Sequence, residues 1–246
     1  MTEHQPLLYQ PGRVARLVFN RPEKKNALDA QSWLLLGEAL EKFAADDDAR
    51  VLVVTGAGGE FSSGADLGGG ITGSADAVAS KLREVAAIVE RLHSLPKPTV
   101  AVVPGVAAGV GLSLALCCDL VLASDRARFG AVFSRVGLTP DGGSSWLLPR
   151  LVGPHRAKEL VLTGSVIDAQ EAARMGLVNR VVHPDALDRA VDELTERLAA
   201  CAPVAAAESL ALLDQAWTRT FAEALAAEAD AQQKAVAARP RPEGSS

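Results

Sequence analysis

The sequence predicts an α/β fold, because apolar β-branched runs alternate with amphipathic helical stretches over most of its length. Residues 51–55 and 99–103 are the clearest buried strands. Between them, residues 76–93 carry apolar side chains at helical spacing, and each of the two strands is followed by a glycine-rich turn. A chain of 246 residues with 48% hydrophobic content can bury the core that such a fold needs.

The predicted elements follow one another in a regular order. Residues 13–19 are expected to form a strand, and Asp29 is a suitable N-cap for a helix that reaches about residue 45. Further short strands are expected at residues 120–123, 127–129 and 178–182. From Pro184 onward the pattern predicts only helices, at residues 187–198, 204–217 and 221–237. We therefore divide the chain into a core of residues 1–183 and a helical segment of residues 184–246.

The composition argues against several classes of partner. The net charge is −5 and no run of Lys or Arg exceeds two, so we expect neither nucleic acid nor an anionic membrane as a partner. We also expect no targeting leader and no membrane-spanning segment. Cys117 and Cys118 are adjacent and Cys201 is remote, which fits a reducing, cytoplasmic compartment better than a disulfide framework. No His or Cys pair has metal-ligand spacing, so no metal is predicted.

Two glycine-rich turns follow the two clearest strands. Gly109-Val110-Gly111 precedes a helix predicted over residues 112–118, and Phe61-Ser-Ser-Gly-Ala65 follows the earlier strand. A turn of this kind leaves backbone N–H groups bare, and at a helix N-terminus the unpaired donors and the helix dipole both favour negative charge. Two such turns from neighbouring strands would direct two N–H groups at one oxygen. The alternative is that both are tight connections without a chemical role.

Three motifs, taken in order, resemble the crotonase (enoyl-CoA hydratase/isomerase) superfamily. They are Asn20-Arg-Pro-Glu-Lys-Lys-Asn-Ala-Leu28, Phe61-Ser-Ser-Gly-Ala-Asp-Leu67 and the glycine stretch that ends in Cys118-Asp119. The match covers roughly residues 13–235. The resemblance implies a spiral core of repeated strand-strand-helix units, followed by a C-terminal helical segment that packs in a trimer. We therefore expect a homotrimer or a homohexamer.

The resemblance also implies an acyl-CoA thioester as the substrate, with coenzyme A entering as part of that thioester and no separate cofactor. The donors of an oxyanion hole would be the backbone N–H groups of Ala65 and Val110. Relatives usually carry glycine at the position of Val110, so its side chain is expected to narrow the pocket. The residues implied to contact coenzyme A are Lys25, Ala27, Ser63, Ala65, Asp66 and Leu67.

The catalytic carboxylates depart from the pattern of the hydratases. Hydratases of this family place two glutamates at the positions of Ser113 and Phe133, so both water-activating groups are missing here. One carboxylate remains, Asp141, in a Pro-Asp-Gly sequence that is also a common turn. The resemblance favours a catalytic role, because related isomerases use this aspartate as a proton shuttle and a halobenzoyl-CoA dehalogenase uses it as a nucleophile. Burial beside Phe133 and Trp146 is expected to raise its pKa.

Three functions remain open from the sequence. The favoured function is an enoyl-CoA isomerase, in which Asp141 moves a proton while Ala65 and Val110 hold the enolate oxygen. The alternatives are an enoyl-CoA hydratase with an atypical base and a catalytically silent acyl-CoA-binding protein. Two further predictions concern residues 67–75 and His155. The glycine-rich residues 67–75 are predicted to form a lid over the site, and His155 is expected in a loop.

Overall fold

The structure is a computed structural model that describes residues 5–68 and 74–239. Residues 69–73, which make up most of the predicted lid, lie outside the described residues. Within the described part, no helix combines the length and the apolar character that crossing a bilayer requires. The strands of this part form two sheets, and the helices pack around them.

The first sheet holds most of the strands. Its members in the described residues are β1 (Leu7–Gln10), β2 (Val14–Phe19), β3 (Val51–Gly56), β4 (Thr99–Val103), β6 (Leu120–Ser124) and β9 (Arg180–Val182). They lie side by side in that order, with β1 antiparallel to β2 and the other neighbours parallel. The second sheet contains β5 (Val106–Ala108), β7 (Arg128–Gly130) and β8 (Val166–Asp168). There β5 and β7 are parallel, and β7 and β8 are antiparallel.

The chain visits the two sheets in turn, which produces a spiral. After β4 in the first sheet it enters β5 in the second, and it then forms helix α3 (Val110–Cys117). The next turn repeats this path through β6 and β7. Parallel bridges from Ser62 to Ala107 and from Leu28 to Ala65 extend the second sheet towards earlier turns of the chain. This repeated strand-strand-helix path agrees with the predicted α/β spiral, and it brings the two glycine turns to neighbouring positions.

The helices begin and end close to their predicted limits. The remaining α-helices are α1 (Ala30–Ala45), α2 (Ala75–His93), α4 (Ser144–Val152), α5 (Pro154–Thr163), α6 (Ala169–Met175), α7 (Leu187–Ala199), α8 (Pro203–Asp214) and α9 (Phe221–Ala237). Asp29 caps α1 as predicted, because its carboxylate accepts a hydrogen bond from the Ser32 N–H at 2.8 Å.

Two helical predictions need correction. Helix α3 was predicted to begin at residue 112, but it begins two residues earlier, at Val110. Val110 therefore occupies the first helical turn. His155 was expected in a loop, and that expectation is wrong, because His155 lies in the first turn of α5. Pro154 starts this helix directly after Gly153, and proline is tolerated there because the first N–H of a helix needs no intrahelical partner.

The sheet separates two hydrophobic clusters. Along β3, Val51 and Val53 face a cluster that includes α7, whereas Leu52 and Val54 face the main core. This alternation is the period of two expected of a strand that is buried on both faces. Helix α7 therefore covers the outer face of the first sheet. The boundary that we placed between residues 183 and 184 stays a prediction.

Candidate active site

The motif at residues 20–28 is held against the turn that contains Ala65 by a buried asparagine. The side chain of Asn26 is 1% exposed, and it donates hydrogen bonds to the carbonyl groups of Ala57 and Glu60 at 2.9 and 2.8 Å. Its side-chain oxygen accepts from the Arg21 N–H, and its carbonyl oxygen accepts from the Ser62 hydroxyl at 2.8 Å. Four hydrogen bonds to one buried residue fix the two segments relative to each other.

These hydrogen bonds bring together the residues predicted to contact coenzyme A. The Ser63 N–H donates to the Lys25 carbonyl at 2.9 Å, and the Asp66 N–H donates to the Leu28 carbonyl. Lys25 and Ala65 are exposed on this surface. The other members of the predicted set on the same two segments are Ala27 and Leu67. Binding of coenzyme A by this set stays a prediction.

Asp66 supports the turn through its side chain. Its carboxylate accepts a hydrogen bond from the Gly68 N–H at 3.0 Å and one from Arg21 at 2.8 Å. These two contacts, with the Gly68 hydrogen bond as the larger cause, hold the pKa of Asp66 below its ordinary value. Arg21 also donates to the Ala27 carbonyl at 2.7 Å. Sequence reasoning did not single out Arg21, although it lies within the first motif.

The two glycine turns touch through their backbones. Gly64 has φ +104, and a Cβ atom at this position would lie 2.9 Å from the Ala108 carbonyl oxygen and 3.6 Å from the Val110 nitrogen. Gly109 has φ +54, and a Cβ atom there would lie 3.9 Å from the Gly64 Cα. A side chain at Gly64 would therefore clash with the other turn, whereas Gly109 favours glycine because of its positive φ rather than for lack of space.

Both predicted oxyanion donors are available at this contact. Val110 is the first residue of α3, and its N–H donates no hydrogen bond to any part of the chain that the structure describes. The same holds for the Ala65 N–H within residues 5–68 and 74–239. Two unpaired N–H groups on turns in contact, one of them at a helix N-terminus, suit an oxygen that carries negative charge. Their catalytic role stays a prediction.

The Val110 side chain packs beneath the loop that carries Asp141. Val110 is 4% exposed, and a Cβ atom on Gly142 would lie 2.9 Å from its Cγ2 and 2.8 Å from the Ser113 Cβ. Gly142 has φ +55, a conformation that glycine adopts readily. The Val110 side chain therefore packs against the loop at Gly142, the residue that follows Asp141.

Two serine hydroxyl groups hold the backbone of Asp141. Ser113 Oγ donates to the Asp141 carbonyl oxygen at 2.9 Å, and Ser144 Oγ donates to the same oxygen at 2.8 Å. Both serines are fully buried. Ser113, at a position where hydratases carry a glutamate, thus positions the remaining carboxylate, and Phe133, at the other position, is buried in the core. Ser144 was missed because its contact depends on the loop geometry.

The Asp141 carboxyl group is partly buried and unpaired. Its Oδ1 atom is inaccessible to solvent and has no hydrogen-bond partner among the described residues. Burial raises the pKa of Asp141 to about 6, which agrees with the direction expected from the sequence. A carboxyl group with a pKa near the working pH can both accept and release a proton during a reaction.

Asp141 opens onto a cavity of about 600 Å³ between α2 and α4, which we call the acyl cavity. Its apolar walls include Leu82, Val85, Val89, Trp146 and Leu147. His93 also lines it and was missed from the sequence, although residues 82, 86, 89 and 93 form one stripe of a helix. Within the described residues, no three His, Cys, Asp or Glu side chains are arranged to hold a metal ion. The prediction of no metal remains a prediction.

Comparison with known proteins agrees with this geometry. Residues 10–246 match the sequence model of the enoyl-CoA hydratase/isomerase family. The chain belongs to this family. A crystal structure of the enoyl-CoA hydratase from Bacillus anthracis superposes with a TM-score of 0.91 at 30% identity, covering 98% of this chain and 94% of that one. Together these findings confirm the crotonase-type fold.

Two curated members of the enoyl-CoA hydratase/isomerase family illustrate the range of reactions. The 1,2-epoxyphenylacetyl-CoA isomerase of Escherichia coli is 40% identical over 76% of this chain and 72% of its own length. The 4-chlorobenzoyl coenzyme A dehalogenase-2 of an Arthrobacter species is 38% identical over 81% of this chain and 74% of its own. With the hydratase above, three different activities are represented. Membership therefore indicates an acyl-CoA enzyme and leaves the reaction to be argued from the site.

Proposed function

We propose that this protein is an enoyl-CoA isomerase that moves the double bond of a 3-enoyl-CoA thioester into conjugation with the thioester carbonyl. The observation that carries the proposal is the unpaired Asp141 carboxyl group, with its pKa raised to about 6, in an apolar cavity whose lining loop packs at Gly142 against the Val110 side chain. In this proposal Asp141 is the only proton shuttle.

The proposed reaction needs one base and one oxyanion site. The Asp141 carboxylate removes a proton from the α carbon, and the electron pair moves into the thioester carbonyl to give a dienolate. The N–H groups of Ala65 and Val110 stabilise the dienolate oxygen, a contribution of about 3 kcal/mol for each well-placed donor. Asp141 then returns the proton to the γ carbon, and the double bond ends between the α and β carbons. No atom is gained or lost.

The two positions where hydratases carry their glutamates hold no carboxylate in this chain. Adding water across the double bond requires a base to activate the water and an acid to protonate the α carbon. Ser113 donates its hydroxyl hydrogen to the Asp141 carbonyl, and Phe133 has no ionisable group. A hydratase with an atypical base and a silent acyl-CoA-binding protein remain the alternatives that the experiment must separate.

A direct comparison of two reactions tests the proposal. The purified protein should convert a 3-enoyl-CoA to its 2-enoyl isomer far faster than it hydrates crotonyl-CoA, with both followed by the absorbance of the conjugated thioester. Comparable rates would favour the hydratase. Binding of acyl-CoA without turnover of either substrate would favour the silent binding protein.

We propose that the coenzyme A portion binds along two segments, and the residues that contact it are Lys25, Ala27, Ser63, Ala65, Asp66 and Leu67. The hydrogen bonds that join these two segments support a preformed surface, where backbone groups can recognise an adenine edge without depending on side-chain type.

We also propose a cytoplasmic location. The three described cysteines are free thiols, which is consistent with a reducing compartment.

We propose a homotrimer or a homohexamer on the basis of the C-terminal helices. The region around α8 and α9 exposes five large apolar side chains, namely Leu213, Trp217, Phe221, Leu225 and Val236. Phe221 is 80% exposed and Trp217 is 69% exposed, which is costly for isolated side chains of this size in water. Multi-angle light scattering at micromolar concentration should give three or six times the mass of one chain, and a stable monomer would contradict the proposal.

A further inference from the structure

A second cavity of about 320 Å³ lies behind the acyl cavity, between the core and helix α8. The two cavities share part of their lining, since His93, Cys117, Trp146 and Leu147 border both. These four residues form the wall between the cavities. We call the second space the distal cavity.

Two of the four wall residues are buried in the core, and the other two are less buried. Cys117 and Leu147 are buried in the main core, so they are part of the packed interior. Trp146 and His93 are less buried, and they meet edge to face with their ring centroids 5.6 Å apart. The Arg150 guanidinium group lies 3.8 Å from the centroid of the Trp146 ring, and its Nη1 donates to the Trp146 carbonyl at 3.0 Å. The indole is therefore held in place by one ring and one cation.

The distal cavity has a lining suited to an apolar chain. Its apolar residues include Leu116, Leu151, Leu210 and Trp217. Asp119, Arg150 and Asp214 also line it, and burial raises the pKa values of the two carboxyl groups. The distal cavity and the acyl cavity are adjacent, because they share four lining residues.

We propose that Trp146 is the end wall of the acyl cavity and sets the maximum length of the acyl group that the protein binds. The distal cavity is the space that a longer acyl chain would fill if the indole were removed. This proposal rests on the proposed function, because it assumes that an acyl-CoA thioester occupies the acyl cavity. It adds a substrate class, namely acyl groups short enough to end at Trp146.

The test measures binding of unreactive thioesters, so it does not depend on isomerase turnover. Calorimetry with octanoyl-CoA and dodecanoyl-CoA, each below its micelle concentration, gives the ratio of the two dissociation constants. For the unsubstituted protein we expect little gain from the longer chain. Trp146→Ala should bind dodecanoyl-CoA at least about tenfold more tightly relative to octanoyl-CoA, because each newly buried methylene is worth about fourfold.

Three further variants keep the test decisive. Leu151→Ala removes a side chain that lines the distal cavity and not the acyl cavity, and it should leave the ratio unchanged. Leu210→Trp, added to Trp146→Ala, should refill the distal cavity and cancel the gain. Trp146→Phe retains a ring at the wall, so it serves as the milder variant if Trp146→Ala does not fold by thermal melting, and it should shift the ratio in the same direction.

The outcomes separate this proposal from the one on which it rests. An unchanged ratio in folded Trp146→Ala, or a raised ratio in Leu151→Ala alone, would overturn the role of Trp146. A steady gain in affinity with chain length in the unsubstituted protein would also overturn it, since the cavities would then already be continuous. Failure of the unsubstituted protein to bind either thioester would overturn the proposed function itself, and this proposal with it.

Discussion

Asp141→Asn should lower the turnover of a 3-enoyl-CoA by about 10²–10⁴-fold, which is the usual effect of losing a general base. The asparagine has nearly the same shape and cannot take up the proton. KM should change little, because the predicted oxyanion donors are backbone groups of Ala65 and Val110. Steady-state kinetics with one 3-enoyl-CoA substrate measures both parameters. Full activity in Asp141→Asn would leave the aspartate as a turn residue.

The pH dependence provides a second measurement on the same carboxyl group. Asp141 acts as a base only when it is ionised, and its pKa is raised to about 6. In the unsubstituted protein, kcat/KM should therefore rise about tenfold per pH unit below that value and level off above it. The residual activity of Asp141→Asn should lack this step. A profile that is flat between pH 5 and pH 7 would exclude Asp141 as the titrating base.

The stability of Asp141→Asn is the control for its folding. Burial raises the pKa of Asp141 from 3.8 to about 6 in the folded protein, so ionisation above pH 6 favours the unfolded chain. The penalty is absent below the unfolded pKa, grows between the two pKa values and is constant above the folded one. Asp141→Asn should therefore raise the free energy of unfolding at pH 8, by about 1–2 kcal/mol after allowance for partial solvent screening. Urea denaturation should show a smaller gain at pH 5.

Gly64→Ala should lower turnover by about 10²–10³-fold, the range seen when one oxyanion donor is lost. The new Cβ atom would lie 2.9 Å from the Ala108 carbonyl oxygen, in backbone with φ +104 that alanine rarely adopts. The two turns must then separate, which would disrupt the convergence on one oxygen that we propose for the Ala65 and Val110 N–H groups. Asp141 is untouched, so the pH profile of the residual activity should keep its step near pH 6.

Gly59→Ala is the matched control for Gly64→Ala. Gly59 also has positive φ, at +81, but a Cβ atom there would meet nothing within 4 Å. Both variants carry the strain of alanine in left-handed backbone, and only Gly64→Ala adds the clash between the turns. Equal losses of turnover in the two variants would assign the effect to strain and contradict the convergence of the donors.

The parts of the fold with strong patterns were predicted from the sequence. The apolar run of β3 and the N-cap Asp29 of α1 identify elements whose signals are local. Strand β8 has three residues, which is too short for an alternation to be recognised, and only pairing with β7 makes it a strand. The helix around His155 was missed because Gly153-Pro154 is equally typical of a loop and of a helix start.

Some residues of the candidate site could be proposed from the sequence, and some of its contacts could not. Ala65 and Val110 could be located from ordered motifs, because the chemistry depends on backbone groups at fixed places in those motifs. The Ser144 hydroxyl at the Asp141 carbonyl and the ring contact of His93 with Trp146 could not be predicted. Both depend on how separate elements pack, and one sequence carries no signal for such contacts.

The hydrogen bond from Ser113 to the Asp141 carbonyl bears on how this site can evolve. A glutamate introduced at Ser113 would supply one hydratase group, but it would also remove a hydroxyl that holds the Asp141 loop and place a longer side chain in a buried position. A protein with that single change would lose support for Asp141 and would still lack the second hydratase carboxylate, since Phe133 fills the other position. We therefore expect that conversion of the proposed isomerase into a hydratase requires coordinated substitutions at both positions.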